Sequence, residues 1–288
     1  PVSGVKTDLT GITPLAAKKG WFYVGAGGRS GIVNEKIRRI ETHFPKFFQG
    51  GMGGKKEPEI AQFSSTQGTV YAGGLVAGWE GPKKWGFESG LFYQKIEVSD
   101  RHALDIAFKD LKTGGGHPQS EVEVLYQYNT SAGALGLELR VSDADPQQDL
   151  PDDELISFQI QTDRSRSYLS VPALVTWRNG YGRLHLKMKA GLVFGAYLDD
   201  NLTLTGAVSS HPKFAIKKWG KLKGISPALA PITTDYWLSA GLVYDLNPTL
   251  SINVEPYLSG SLSPFQTDRF IKSGQTTAGI YAGVVANF

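Results

Sequence analysis

Four basic side chains fall on alternate positions of one short stretch: Arg183, His185, Lys187 and Lys189. Leu184, Leu186, Met188 and Ala190 stand between and after them, and Leu192 and Phe194 continue the same spacing. In an extended chain this pattern turns all four bases to one face and the apolar residues to the other. Glu88, Asp235, Asp245 and Glu255 hold the same phase against their own apolar neighbours. If both sets face one enclosed space, the chemistry is ion pairing, with Lys187 and Lys189 against Glu88 and Glu255. An unpaired cation in a narrow, water-poor interior is costly, so such groups must find one another. The resulting network of Glu88, Arg183, His185, Lys187, Lys189, Asp235, Asp245 and Glu255 would fill the interior and fix its register. A gated pore or proton path is the alternative, but a polar network that satisfies itself leaves no continuous water column.

Catalytic chemistry has less to work with. The five histidines are His43, His102, His117, His185 and His211. Four fall in stretches that read as long connections, and His185 stands among cations. There is no Gly-x-Ser-x-Gly elbow, no metal-ligand spacing and no phosphate loop. Gly25-Ala26-Gly27-Gly28 is followed by no helix and reads as glycine in a strand. With no cysteine, disulfides, thiolate metal sites and thiol nucleophiles are excluded. The expectation is a chain with no catalytic residues, no metal and no cofactor. A Ser-His-acid site assembled by the fold alone is the alternative.

A further set of residues suits contact. Lys36, Arg38, Arg39, Lys46, Lys55 and Lys56 are interleaved with Phe44, Phe47 and Phe48. Lys213, Lys217, Lys218, Lys221 and Lys223 are interleaved with Phe214 and Trp219. Basic and aromatic groups together suit the anionic sugars and phosphates of lipopolysaccharide, or a protein partner. An ordinary solvated loop surface accounts for them equally. The net charge of +3 is too small to suggest a nucleic-acid protein.

The elements that would position these groups are strands. Apolar residues alternate with polar ones through Trp21 to Gly28, Thr69 to Trp79, Trp85 to Val98, Arg166 to Trp177, Gly182 to Leu198, Thr233 to Leu246, Thr249 to Ser261 and Gln275 to Phe288. A sheet with one apolar and one polar face, set in hydrocarbon, must close, because no unpaired backbone edge is tolerable there. The expected fold is all-β: a transmembrane antiparallel up-and-down β-barrel of eight strands. A soluble barrel would also alternate, with its apolar face inward. Against that, Trp21, Tyr71, Trp79, Trp85, Tyr93, Trp177, Tyr236 and Tyr244 bracket the strands as lipid-water girdles do, and Phe288 ends the last strand as a closing residue. Composition agrees: 35 Gly, 12 Tyr and 6 Trp with 41% hydrophobic residues suit strands, turns and girdles better than spanning helices.

The connections alternate in kind. Glu80 to Lys84, Arg178 to Tyr181 and Leu246-Asn247-Pro248 read as tight turns. Residues 29–68, 99–165, 199–232 and 262–274 read as long loops. That asymmetry places the loops outside a bacterial outer membrane, with the turns and both termini in the periplasm. Within 99–165, Glu121 to Tyr128 and Ala134 to Val141 form two further strand-like runs. Their Glu121, Glu123, Glu138 and Arg140 favour a hairpin outside the membrane over two more spanning strands, with ten strands the alternative. Residues 1–20 read as a periplasmic lead-in or the end of a linker, and Pro1 points to a processed chain or part of a longer one.

Ser167-Tyr168-Leu169-Ser170-Val171-Pro172-Ala173-Leu174-Val175, a turn, and then Leu186-Lys187-Met188-Lys189-Ala190-Gly191-Leu192-Val193-Phe194-Gly195 resemble the PorT-like outer-membrane barrels of the Bacteroidota. Gly86 to Tyr93 and Gly279 to Phe288 match in kind. The resemblance implies a small barrel of OmpA/OmpX type with a structural or accessory role, sometimes tied to type IX secretion. Related barrels are also fused behind an anti-sigma-like inner-membrane segment. The functional expectation is a non-enzymatic barrel with a plugged lumen that acts through its long loops, as a surface recognition or accessory subunit of an envelope complex. Its expected contacts are outer-membrane lipid, lipopolysaccharide and another envelope protein. The alternative is an outer-membrane lipid-modifying enzyme of the lipid A deacylase or acyltransferase type.

Overall fold

The computed structural model describes residues 20–39, 66–107, 122–130, 133–143, 151, 153–211, 214–221, 230–264 and 271–288. Eleven strands lie among them: β1 (Trp21–Arg39), β2 (Thr66–Glu80), β3 (Trp85–Ala107), β4 (Val122–Thr130), β5 (Gly133–Asp143), β6 (Leu155–Tyr181), β7 (Leu184–Ser209), β8 (Phe214–Lys221), β9 (Ile232–Asn247), β10 (Leu250–Ser261) and β11 (Ile271–Asn287). Eight of them close a ring in the order β1-β11-β10-β9-β7-β6-β3-β2, each antiparallel to both neighbours. First and last strands form the seam, from Tyr23 opposite Asn287 to Arg39 opposite Ile271, and the Phe288 amide donates to the Phe22 carbonyl at 2.8 Å.

Alternation decides which face is which. Phe22, Val24, Leu75, Phe87, Leu91, Leu186, Met188, Leu238, Leu242, Val254 and Val284 point outward and are exposed, Leu75 by 66%. An apolar belt of that extent on a closed sheet is stable only against hydrocarbon, so the barrel is a transmembrane one. The belt has visible limits. Along β3 the outward side chains run Trp85, Phe87, Ser89, Leu91 and Tyr93, and then turn charged at Lys95 and Glu97. Trp21 is the exception to the expected girdle: it shares the inward phase of Tyr23, and the Arg178 guanidinium lies 5.8 Å from its ring.

Four strands run well past the ends read from sequence. β1 continues to Arg39, β3 to Ala107 and β7 to Ser209, while β6 begins at Leu155. Polarity marks where lipid stops, but backbone pairing does not stop with it. Beyond Lys95, β3 and β6 stay paired from Lys95↔Ser167 to Ala107↔Leu155. Much of the expected loop sequence is therefore strand. β4 and β5 do form a hairpin, and with β8 they make a separate three-stranded sheet, which leaves eight strands in the barrel.

One turn also moves. β6 runs through Arg178, Asn179 and Gly180 to Tyr181, and the reversal falls on Gly182-Arg183, with Tyr181 opposite Leu184. Gly182 supplies the positive φ of 66° that a two-residue hairpin turn needs. Arg183 is thereby an exposed turn residue and no part of the lumen.

Candidate functional site

The lumen is built in layers by inward residues of all eight ring strands. Nearest the short turns, Asp245 of β9 accepts from Arg178 Nη2 at 2.7 Å and from Ser251 Oγ at 2.6 Å, and its other oxygen lies 2.9 Å from His185 Nε2. Arg178 Nη1 is 3.5 Å from Glu80, and Glu80 is 3.2 Å from Lys187 Nζ. Lys187 reaches Glu88 at 3.3 Å, Lys189 reaches Glu88 at 2.6 Å, and Lys189 reaches Glu255 at 2.9 Å. In sequence of contact the chain is His185, Asp245, Arg178, Glu80, Lys187, Glu88, Lys189, Glu255. Base and acid alternate along it.

Neutral groups complete the carboxylates. Tyr23 donates to Glu88 at 2.8 Å and accepts from Lys187 at 3.1 Å. Ser239 donates to Glu255 at 2.9 Å and Asn253 donates to it at 2.8 Å. Lys187 and Lys189 also lie over the rings of Tyr23 and Tyr281, at 4.4 and 4.7 Å. Glu80, Glu88, Lys187, Lys189 and Glu255 are all buried, so each charge is held by partners rather than by water.

A second layer follows, made of one cation among rings. Arg29 lies 5.0 Å from the Trp237 ring and 5.7 Å from that of Phe92, and it donates to Gln94. Trp237 stacks on Tyr257 at 4.3 Å, and Phe92 meets Tyr281 edge-on at 6.3 Å. Asp235 belongs here, beside Arg29 and Ser261, and not with the lysines. Between the two layers the cavity lined by Arg29, Glu88, Phe92, Pro172, Leu174, Lys189, Trp237 and Tyr281 measures about 20 Å³, room for one water. Farther out, Arg166 of β6 pairs with Glu35 of β1, both buried, with Arg166 opposite Ile96 in register, and Val33, Val70, Ile96, Val98 and Tyr168 form a buried apolar cluster. Arg164 grips Asp200 through two bonds of 2.6 and 2.5 Å.

Space for these side chains comes from inward glycines. A Cβ at Gly283 would lie 2.7 Å from Asn253 Oδ1 and 2.8 Å from the Tyr281 hydroxyl, and one at Gly27 would meet Tyr281 as well. One strand gives up its side chain so that a neighbour's ring can cross the lumen.

The structure thus brings together Glu88, His185, Lys187, Lys189, Asp245 and Glu255 of the residues picked out by phase. It places Asp235 in another layer and Arg183 outside. Sequence reading missed Glu80, Arg178, Tyr23, Arg29, Glu35 and Arg166. The sequence pattern places Glu80 and Arg178 in tight turns, whereas in the structure each keeps the inward phase of its strand. Among the contact residues, Lys36 is exposed on β1. Arg38 and Arg39 lie on β1 and Lys217, Lys218, Trp219 and Lys221 on β8, where the backbone alone is described. Phe47, Phe48 and Lys213 lie outside the described residues. Beyond the belt, Lys95 bonds Glu97 at 2.6 Å, which holds its ammonium above the ordinary lysine value. Among the described residues no group of His, Asp and Glu could hold a metal ion. Ser251 and His185 both bond Asp245, so the acid stands between hydroxyl and imidazole, unlike the order a nucleophilic triad needs.

No family model matches the sequence, and no curated protein matches it. Among solved structures, Neisserial surface protein A is similar over 94% of this chain and 100% of its own, at 9% identity and a TM-score of 0.34. Ail, the attachment invasion locus protein of Yersinia pestis, matches over 94% and 100%, at 10% identity and a TM-score of 0.23. The outer membrane protease OmpT of Escherichia coli matches over 95% and 98%, at 10% identity and a TM-score of 0.24.

Proposed function

We propose that this chain is a non-enzymatic barrel of the bacterial outer membrane whose lumen is a structural plug. Its work is done on the long-connection side, as a surface recognition or accessory subunit of an envelope complex. The observation that carries this is the filled lumen. Eight alternating basic and acidic groups, a ring-bound arginine and an outer ion pair occupy the cross-section, and the cavity between the first two layers admits one water. A barrel so filled is a poor channel, which leaves its surfaces as the place for function. On one side of the ring β3, β6 and β7 rise well beyond the belt as a paired ribbon, a rigid base for the long connections. The PorT-like sequence motifs support the accessory role. Lipopolysaccharide and another envelope protein are the proposed contacts, with the long connections outside the cell and both termini in the periplasm.

The test is isolation of the tagged protein from its native envelope in mild detergent. A reproducible stoichiometric partner, lost when the β4–β5 hairpin is deleted, is the expected result. Comparison of lipid A from cells with and without the protein decides the rival class: a missing or added acyl or phosphate group would establish lipid modification and end the accessory reading.

A further inference from the structure

On the described residues of the short-turn rim the exposed charged side chains are of one sign. Lys83, Lys84 and Arg183 are the exposed charged side chains on the described residues of that rim. Glu80 is buried against Arg178 and Lys187, and Asp245 is committed to Arg178, Ser251 and His185. The two neighbouring turns that carry the three cations dock on each other through Lys84. Arg178 N donates to the Lys84 carbonyl at 2.9 Å, and Lys84 Nζ donates to Asn179 Oδ1 at 2.6 Å. Lys84 is also the one non-glycine among the described residues with a positive φ, 72°. Glycine would hold that left-handed position without strain, yet a lysine occupies it and is pinned by the second turn. Trp85, 58% exposed, follows Lys84 in the chain, and Tyr181, 97% exposed, stands two residues before Arg183; amphipathic rings of this kind suit the boundary between belt and water.

We propose that this rim binds the phosphates of anionic phospholipids in the leaflet it faces, with Lys83, Lys84 and Arg183 taking the headgroups while Trp85 and Tyr181 lie at the glycerol and carbonyl level between headgroup and acyl chain. The occupant follows from place and charge. Groups just outside an apolar belt sit at headgroup depth, and clustered cations there gain from anionic lipid. Glu80 and Asp245 are bonded to Arg178 and Lys187 rather than to these three cations. The proposal rests on the barrel and its belt, and stands whether or not the long connections bind a protein partner.

The test reconstitutes the full chain in vesicles of phosphatidylethanolamine with a one-tenth share of phosphatidylglycerol, excises the protein with its surrounding lipid in polymer-bounded discs, and measures lipid composition by mass spectrometry. The expected result is enrichment of phosphatidylglycerol over the bulk membrane by about threefold or more at low salt, falling as salt rises. Lys83→Gln combined with Arg183→Gln is expected to remove most of that enrichment, whereas Lys95→Gln at the far limit of the belt leaves it intact. All three substituted side chains reach the surface, and heat-modifiable migration on gels verifies that each of the two variant barrels is folded. Bulk composition around the wild-type chain would overturn the proposal, and so would enrichment that survives the double variant or is lost in Lys95→Gln.

Discussion

Glu88 is the residue on which most of the lumen turns. It receives Lys189 at 2.6 Å, Lys187 at 3.3 Å and the Tyr23 hydroxyl at 2.8 Å. Glu88→Gln leaves two buried ammonium groups short of a carboxylate, and is expected to cost about 3–5 kcal/mol in urea unfolding of the reconstituted barrel, followed by tryptophan fluorescence. Tyr23→Phe removes one hydroxyl from the same cluster and is expected to cost about 1–2 kcal/mol. Glu255→Gln falls between, because Lys189 keeps Glu88. A cost for Glu88→Gln no larger than that of Tyr23→Phe would mean that water reaches the lysines. Phase along a strand made Lys187, Lys189, Glu88 and Glu255 legible from sequence, since alternation reports the face of a residue. It does not report height. Height follows instead from position along the strand: Asp235 lies near the long-connection end of β9 and Asp245 near its tight turn, and the strand's rise per residue is what sets Asp235 against Arg29 rather than with the lysines.

For the strands, the informative contrast is between inward and outward glycine. Gly73 on β2 points to lipid, and a Cβ there meets nothing within 4 Å, whereas one at Gly283 on β11 meets Asn253 and Tyr281. Gly73→Val is expected to be neutral or to stabilise by up to about 1 kcal/mol, since valine fits a strand better than glycine. Gly283→Val is expected to destabilise by about 1–3 kcal/mol by displacing Tyr281. The same unfolding measurement checks both, and equal effects would mean that the lumen is loosely packed. Glycine content alone does not reveal this division, because the sequence shows where a side chain is missing and not whose ring fills the gap. Strand ends were illegible for a related reason. The outward face of β3 turns polar at Lys95, yet hydrogen bonds to β6 continue to Ala107, so polarity located the edge of the lipid and missed the end of the strand.

At the level of the whole molecule the filled lumen and the uneven ends make two measurable statements. Purified protein in planar bilayers is expected to show no steady conductance, and large stable currents would mean that the layers open together. Protease added to intact cells is expected to cut on the side of the long connections and to spare the reversals at Pro82, Gly182 and Pro248; the opposite pattern would invert the proposed orientation. The ring itself was legible, because alternation on one face for lipid and one for the lumen demands closure. The three-stranded sheet of β4, β5 and β8 was legible only as a hairpin, since the pairing of β5 with β8 joins distant segments whose local pattern carries no trace of it. The β1–β11 seam adds a question of timing. It joins Tyr23 to Asn287, so the first strand waits for the last before the ring can shut. Hairpins such as β2–β3 and β9–β10 can form as soon as their own residues are present, but the seam requires the longest chain closure in the barrel. Until it forms, the molecule is an open sheet with two raw edges, each able to take a strand from another chain. Assembly therefore has a window in which the barrel is most exposed to error, and the residues that shorten it are those that hold β1 and β11 in register.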